Sequence, residues 1–342
     1  MKEKSGNLPR RHGLLAVSLR LQPFVASAAL MIASTLLCAC GGGAPTPSLT
    51  EYATPTAMSV PYYITTGADG ALWFTEQFGN KIGRVTTAGV FTEYTIPTAN
   101  SYPYTIVTGP DGALWFTEEL NKIGRVTTTG TFTEYPVPTP NGWPWGITVG
   151  PDGALWFTEE RGNKIGRITP FGAFTEYAIP TANSEPYGII TGPDGALWFT
   201  EGNGNNIGRV TAAGAFTEYA LPTVNAVPVS ITTGPDGALW FTENDKSKIG
   251  RVTTAGTFTE YAIPMGRSPV GLAPKAISTG PDGALWFTAA VGPEVVGRVT
   301  TSGVFTEYPI PAAGAPVGIT TGPDGALWFA DENGKIGRFS PQ

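Results

Sequence analysis

One string, Asp-Gly-Ala-Leu-Trp-Phe, occurs seven times, beginning at Asp69, Asp111, Asp152, Asp194, Asp236, Asp282 and Asp324. The steps between copies are 42, 41, 42, 42, 46 and 42 residues. Two further strings keep the same period. Phe-Thr-Glu-Tyr, or Leu-Thr-Glu-Tyr in the first copy, begins at Leu49, Phe91, Phe132, Phe174, Phe216, Phe258 and Phe305; Ile-Gly-Arg, or Val-Gly-Arg, ends at Arg84, Arg125, Arg167, Arg209, Arg251, Arg298 and Arg338. Leu49 to Gln342 is 294 residues, seven units of 42, which leaves no room for another domain in that span. A period near 42 with one Trp-bearing strand per unit predicts an all-β, seven-bladed β-propeller of four-stranded blades.

Turn chemistry places the strands. Ile-Thr-x-Gly is a short inner strand, the Asp-Gly turn leads into Ala-Leu-Trp-Phe-Thr-Glu, a Gly/Asn loop leads to Lys-Ile-Gly-Arg, and a Gly turn leads to Phe-Thr-Glu-Tyr. Both faces of the Leu-Trp-Phe strand are apolar, as a sheet stacked between two others requires. The chain starts with an outer strand, Leu49–Tyr52, and ends on a third strand, so the N-terminal strand is expected to complete the last blade and remove an exposed edge. The matched Arg and Glu repeats suggest a pair between third and fourth strands, with Arg338 and Glu51 meeting at the closure.

Gly 45 and Pro 31 fit a turn-rich fold, since 41% of the residues are apolar. Residues 1–39 carry five bases (Lys2, Lys4, Arg10, Arg11, Arg20) and one acid, so residues 40–342 hold 16 bases against 26 acids, net −10. Such a surface repels phosphate backbones, and no nucleic-acid partner is expected. The single histidine is His12; residues 40–342 have no imidazole for catalysis or metal ligation. The apolar run Phe24–Leu37 is too short to span a bilayer and reads as a signal-peptide core. It ends Leu37-Cys38-Ala39-Cys40-Gly41, similar to a bacterial lipoprotein box with Cys40 as the acylated residue; ordinary secretion with a thiol pair near the cut is the alternative. The expected division is a leader 1–39, a Gly/Pro/Ser tether 40–48 and the propeller 49–342. On this reading the chain is exported and held on a membrane of the cell envelope by its lipid anchor, as a monomer.

Two positions per unit converge on the mouth of the channel, opposite the Asp-Gly turns. The first, in Pro-x-(small)-Ile, or Pro-Tyr-Tyr-Ile in the first copy, holds Tyr62, Tyr104, Trp145, Tyr187, Val229, Lys275 and Val317. Its four aromatics form either a platform for a small cyclic, aromatic or sugar-like ligand or the packing of the mouth. The second closes the Trp-Phe-Thr-Glu strand: Glu76, Glu118, Glu159, Glu201, Glu243, Ala289 and Asp331. Acids facing one axis would attract a hard cation such as magnesium, with Glu243 and Asp331 as ligands; a solvated strand edge is the alternative.

The repeated Gly-Pro-Asp-Gly-Ala-Leu-Trp-Phe-Thr-Glu, followed by Asn-Lys-Ile-Gly-Arg and Phe-Thr-Glu-Tyr-x-Ile-Pro-Thr, closely resembles the streptogramin lyase (virginiamycin B lyase) family over all seven units. The resemblance implies a seven-bladed propeller and a magnesium-dependent elimination that opens the ester of a cyclic depsipeptide antibiotic. It also implies catalytic histidines at the Pro-x-Gly position of two late blades and a glutamate 14 residues beyond the second. Those positions here look like Lys275, Val317 and Asp331. The expectation is therefore a binding or scaffolding module without the lyase chemistry; the alternatives are an active magnesium-dependent C–O lyase using another base and a structural envelope protein.

Overall fold

A strand of about five residues with two apolar faces is stable only when a sheet covers each face, so one unit cannot stand alone. The computed structural model describes residues 46–264, 272–290, 294–310 and 314–341, all within the unit Cys38–Gln342; the leader, Cys38 and Cys40 lie outside the described residues. It contains seven antiparallel four-stranded sheets. The first blade runs Pro61–Thr66, Leu72–Glu76, Lys81–Val85 and Phe91–Thr95, from inner to outer strand, and the order repeats over 103–136, 144–178, 186–220, 228–262 and 274–309. The one helical element among the described residues is a 3-10 turn at Asn244–Lys246. In the seventh blade Pro316–Thr321, Leu327–Asp331 and Lys335–Ser340 are joined by Ser48–Ala53, which pairs antiparallel from Ser48 opposite Ser340 to Ala53 opposite Lys335. Inner strands touch round the whole ring, including Pro61–Thr66 against Pro316–Thr321.

The period of two along a strand sorts the repeated residues onto two faces. In Leu72–Glu76 all five residues are buried. Trp73 packs with Ile82 and Ile96 against Leu114, Phe116 and Val126 of the second blade, and stacks on Tyr94 of its own outer strand at 5.5 Å. On the opposite face Phe74 lies over Gly83, where a Cβ would come within 2.1 Å of the ring. That contact is why the third strand reads Ile-Gly-Arg.

The same alternation corrects the expected Arg–Glu pair. Arg338 stands opposite Thr50 and Glu51 opposite Gly337, so the two side chains leave opposite faces of the sheet. Arg338 instead donates from Nε to Asp324 Oδ2 at 2.7 Å, while Lys335 meets Glu51 at 3.2 Å. All seven arginines make this bond to the aspartate of their own Asp-Gly turn. In the first blade Asp69 Oδ1 also accepts from Trp73 Nε1 at 2.9 Å, so one carboxylate satisfies a buried indole N–H and an arginine together.

Candidate functional site

The mouth position of each unit is aimed by a bulge. Pro61 pairs with Glu76 and Ile64 with Phe74, so three steps on the inner strand oppose two on its neighbour, and the extra residue turns Tyr62 and Tyr63 toward the axis. The threonine of Trp-Phe-Thr-Glu repairs the interrupted ladder. Thr75 Oγ1 accepts from Tyr63 N at 3.0 Å and donates to Tyr104 O of the next blade at 2.7 Å. Thr117, Thr158, Thr200, Thr242 and Thr288 make the same bridge to the carbonyls of Trp145, Tyr187, Val229, Lys275 and Val317. This column of side chains is thus fixed by the blades' own hydrogen bonds.

The four aromatics form a continuous arc over four successive blades. Tyr62 meets Tyr104 edge-on at 5.3 Å, Tyr104 stacks on Trp145 at 6.3 Å, and Trp145 meets Tyr187 at 5.4 Å. Tyr63 closes on Trp145 from inside the channel at 6.0 Å. The channel below has a volume of about 180 Å³ and is lined by Tyr63, Thr105, Trp145, Ser230 and the inner-strand isoleucines. Trp145 is buried, whereas Tyr62, Tyr104 and Tyr187 are half-buried and offer ring surface at the mouth. Across the ring the arc gives way to Val229, half-buried Lys275 and buried Val317. The mouth therefore has an aromatic side and a side without rings.

The second-strand acids are not brought together. Glu76, Glu118, Glu159, Glu201, Glu243 and Asp331 are each fully buried within their own blades. Burial, then the nearby Glu93, pushes the Glu76 carboxyl up to about 8, and burial followed by Glu260 takes Glu243 to about 7. Asp331 Oδ1 accepts from the backbone N–H groups of Ala315 at 3.0 Å and Asn333 at 2.9 Å; its Oδ2 is buried without a hydrogen-bond partner. Among the described residues no three His, Cys, Asp or Glu side chains converge. A magnesium ion needs several oxygen donors in one shell. Lys275 is a cation, Val317 a hydrocarbon, and Asp331 offers one free oxygen, so this set does not fit the ion that the resemblance implies.

The structure adds a second set of residues to the mouth. One position past five of the six second-strand acids stand Gln77, Glu119, Glu160, Asn244 and Glu332, while Gly202 follows Glu201. Burial, then Glu185, raises Glu160 to about 7. Glu119 and Glu332 are likewise raised by burial, against the opposing pull of Arg161 and Lys275 respectively. The phenols of the arc are raised in turn: Tyr62 by burial, then Tyr104 and Tyr63, then Glu332 and Glu160, and Tyr104 by burial, then Glu119 and Glu160. Arg161 lies flat on Trp143, 3.3 Å from the ring centroid. Tyr102, Trp143 and Glu185, each just before an inner-strand proline, hold φ of 48°, 55° and 50°, a left-handed conformation disfavoured for such side chains. The available signal was variation: these columns change from copy to copy while the nearby Leu-Trp-Phe does not.

The virginiamycin B lyase family profile matches this chain over residues 41–190, 147–275 and 189–342. A crystal structure of virginiamycin B lyase from Staphylococcus aureus superposes with a TM-score of 0.81 at 43% identity, over 86% of this chain and 99% of that one. A catalytically inactive histidine-to-alanine variant of the S. aureus enzyme with quinupristin gives 0.81 at 42% identity, over 86% and 99%. A virginiamycin B lyase from Bacillus licheniformis is 54% identical over 41 residues, 12% of this chain and 14% of that protein.

Proposed function

The chain belongs to the virginiamycin B lyase family, and from that premise we propose an exported, lipid-anchored propeller that binds a ring-bearing ligand at its channel mouth without the family's elimination chemistry. One observation carries the loss of chemistry. A histidine-to-alanine change accompanies catalytic inactivity in the S. aureus relative, and the propeller here has no histidine at all. Val317, at one position that resembles a family histidine, has no group to accept a proton, and a positioned general base typically supplies about 10²–10⁴-fold in rate. Lys275, at the other, stands beside Glu332 and favours that group's ionisation. Asp331 holds two backbone N–H groups, a structural task.

Binding is supported by the arc of Tyr62, Tyr104, Trp145 and Tyr187, whose faces suit a cyclic, aromatic or sugar-like ligand. Titration with quinupristin, followed by calorimetry, is expected to show binding that Trp145→Ala weakens about 10–100-fold, in the range for a central aromatic anchor. Equal affinity in the variant would remove the arc from the account.

A further inference from the structure

Each blade has a polar knot where its third strand begins, and the seven versions of it differ in one informative way. In the first blade Lys81 Nζ donates to Glu93 Oε2 at 2.6 Å and to Thr56 Oγ1 at 2.5 Å. Thr56 lies in the segment leading in from the preceding blade, and Glu76 stands directly opposite Lys81 in the ladder. Lys164 repeats the contacts at 2.8 and 2.6 Å and Lys248 at 2.7 and 2.6 Å. Lys122 donates to Thr98 and lies 3.6 Å from Glu134, and Lys335 meets Glu51 in the seventh blade. Five blades therefore set an ammonium on one acid, with a second acid opposite it in the ladder.

The remaining two blades lose the lysine in different ways. The sixth puts Val295 in its place and Ala289 in place of the second-strand glutamate, both fully buried; one acid leaves with the base. The fourth keeps both acids, Glu201 and Glu218, and the threonine, Thr181, but has Asn206 for the lysine. Asn206 Nδ2 reaches Glu201 Oε2 at 3.1 Å and Thr181 Oγ1 at 3.3 Å, and Glu218 Oε1 accepts from Thr181 N at 2.9 Å. Glu201 is fully buried and its Oε1 has no hydrogen-bond partner. Two carboxylates are left facing one another without the cation that the sister blades supply.

We propose that the fourth blade binds a hard divalent cation, calcium in the first instance, where its sisters place a lysine ammonium, using Glu201, Glu218, Thr181 and Asn206. All four offer oxygen; turning over the Asn206 carboxamide presents its Oδ1 to the ion. Calcium accepts six to eight oxygens in flexible geometry, with water completing the shell, and two carboxylates supply the charge that an isolated ion needs. Asn206 and Glu218 are half-buried, so the ion can reach the knot from solvent. The site is separate from the channel mouth and does not depend on the proposed ligand.

Thermal melts of the purified protein after EDTA treatment, with and without ~5 mM calcium chloride, test this. Wild type is expected to gain about 2 °C or more. Asn206→Lys should melt higher than metal-free wild type and show no calcium response, and Glu201→Gln should also lose the response. A wild-type melt unmoved by calcium would overturn the site, as would a full calcium response in Asn206→Lys or an equal shift from sodium chloride at matched ionic strength.

Discussion

The second-strand glutamates show how position along one strand decides a side chain's chemistry. Sequence alone places Glu76 at a strand end, where a carboxylate is ordinarily solvated; in the folded ring the group is fully buried. Burial, reinforced by Glu93 and Glu134, raises Glu76 and Glu118 to about 8; Glu201 also reaches about 8, and burial with Glu176 and Glu260 takes Glu159 and Glu243 to about 7. A carboxyl whose folded pKa lies above its unfolded value binds more protons when folded, so its contribution is complete below about pH 4.5 and is lost as pH rises through 7–8. The turn aspartates act oppositely. Bonds from Trp73, Arg84 and Ala71 outweigh burial and lower Asp69, and its contribution is lost as pH falls below the usual carboxylate range. The melting temperature is expected to fall from pH 5.5 to 8.5, and Glu76→Gln to flatten that fall, as measured by calorimetry across the range. A wild-type melting temperature that rises over this interval would contradict the assignment.

At the scale of the strand, the repeat made nearly everything legible: four strands per unit, their order and the apolar character of both faces follow from turn residues and period. What it did not reveal were contacts between copies, because a repeated string says nothing about which copy a side chain reaches. The Thr75 hydroxyl bridges to Tyr104 one blade on; the arginines, by contrast, stay within their own copy on the aspartate of their own turn, since register sends Glu51 and Arg338 to opposite faces. The one blade lacking the hydroxyl bridge is the seventh, which has Ala330 in the threonine's place. That seam is also where Ser48–Ala53 completes the sheet and where Tyr52 stacks on Trp328 at 5.8 Å. Ala330→Thr is expected to restore the link to the Tyr62 carbonyl and stabilise the closure by about 0.5–1.5 kcal/mol, the net worth of one hydrogen bond. Chemical denaturation measures it; destabilisation would show that the closing blade has no space for the hydroxyl.

For the molecule as a whole, the direction of the first strand sets an orientation. Ser48 lies beside Ser340, past Arg338, at the edge carrying the Asp-Gly turns, while the mouth lies at the other edge. The first described strand therefore enters at the face opposite the aromatic arc. Cys40→Ser is expected to release the protein into the soluble fraction, whereas Cys38→Ser should leave it with membranes; a mature protein with no acyl mass at Cys40 would end the lipoprotein reading. The aromatic half of the mouth was legible because its column is singled out by Pro-x-(small)-Ile. The acidic rim of Glu119, Glu160 and Glu332 was not, since it sits in loops whose residues share no string. Binding without turnover can be tested directly in one assay. Purified protein is incubated with a type B streptogramin and excess magnesium, and chromatography follows the cyclic and linear forms. The antibiotic is expected to stay cyclic, opening no faster than in a protein-free control. Magnesium-dependent linearisation that disappears in Lys275→Ala or Asp331→Ala would contradict that expectation and show that the family's reaction proceeds here on a substituted base.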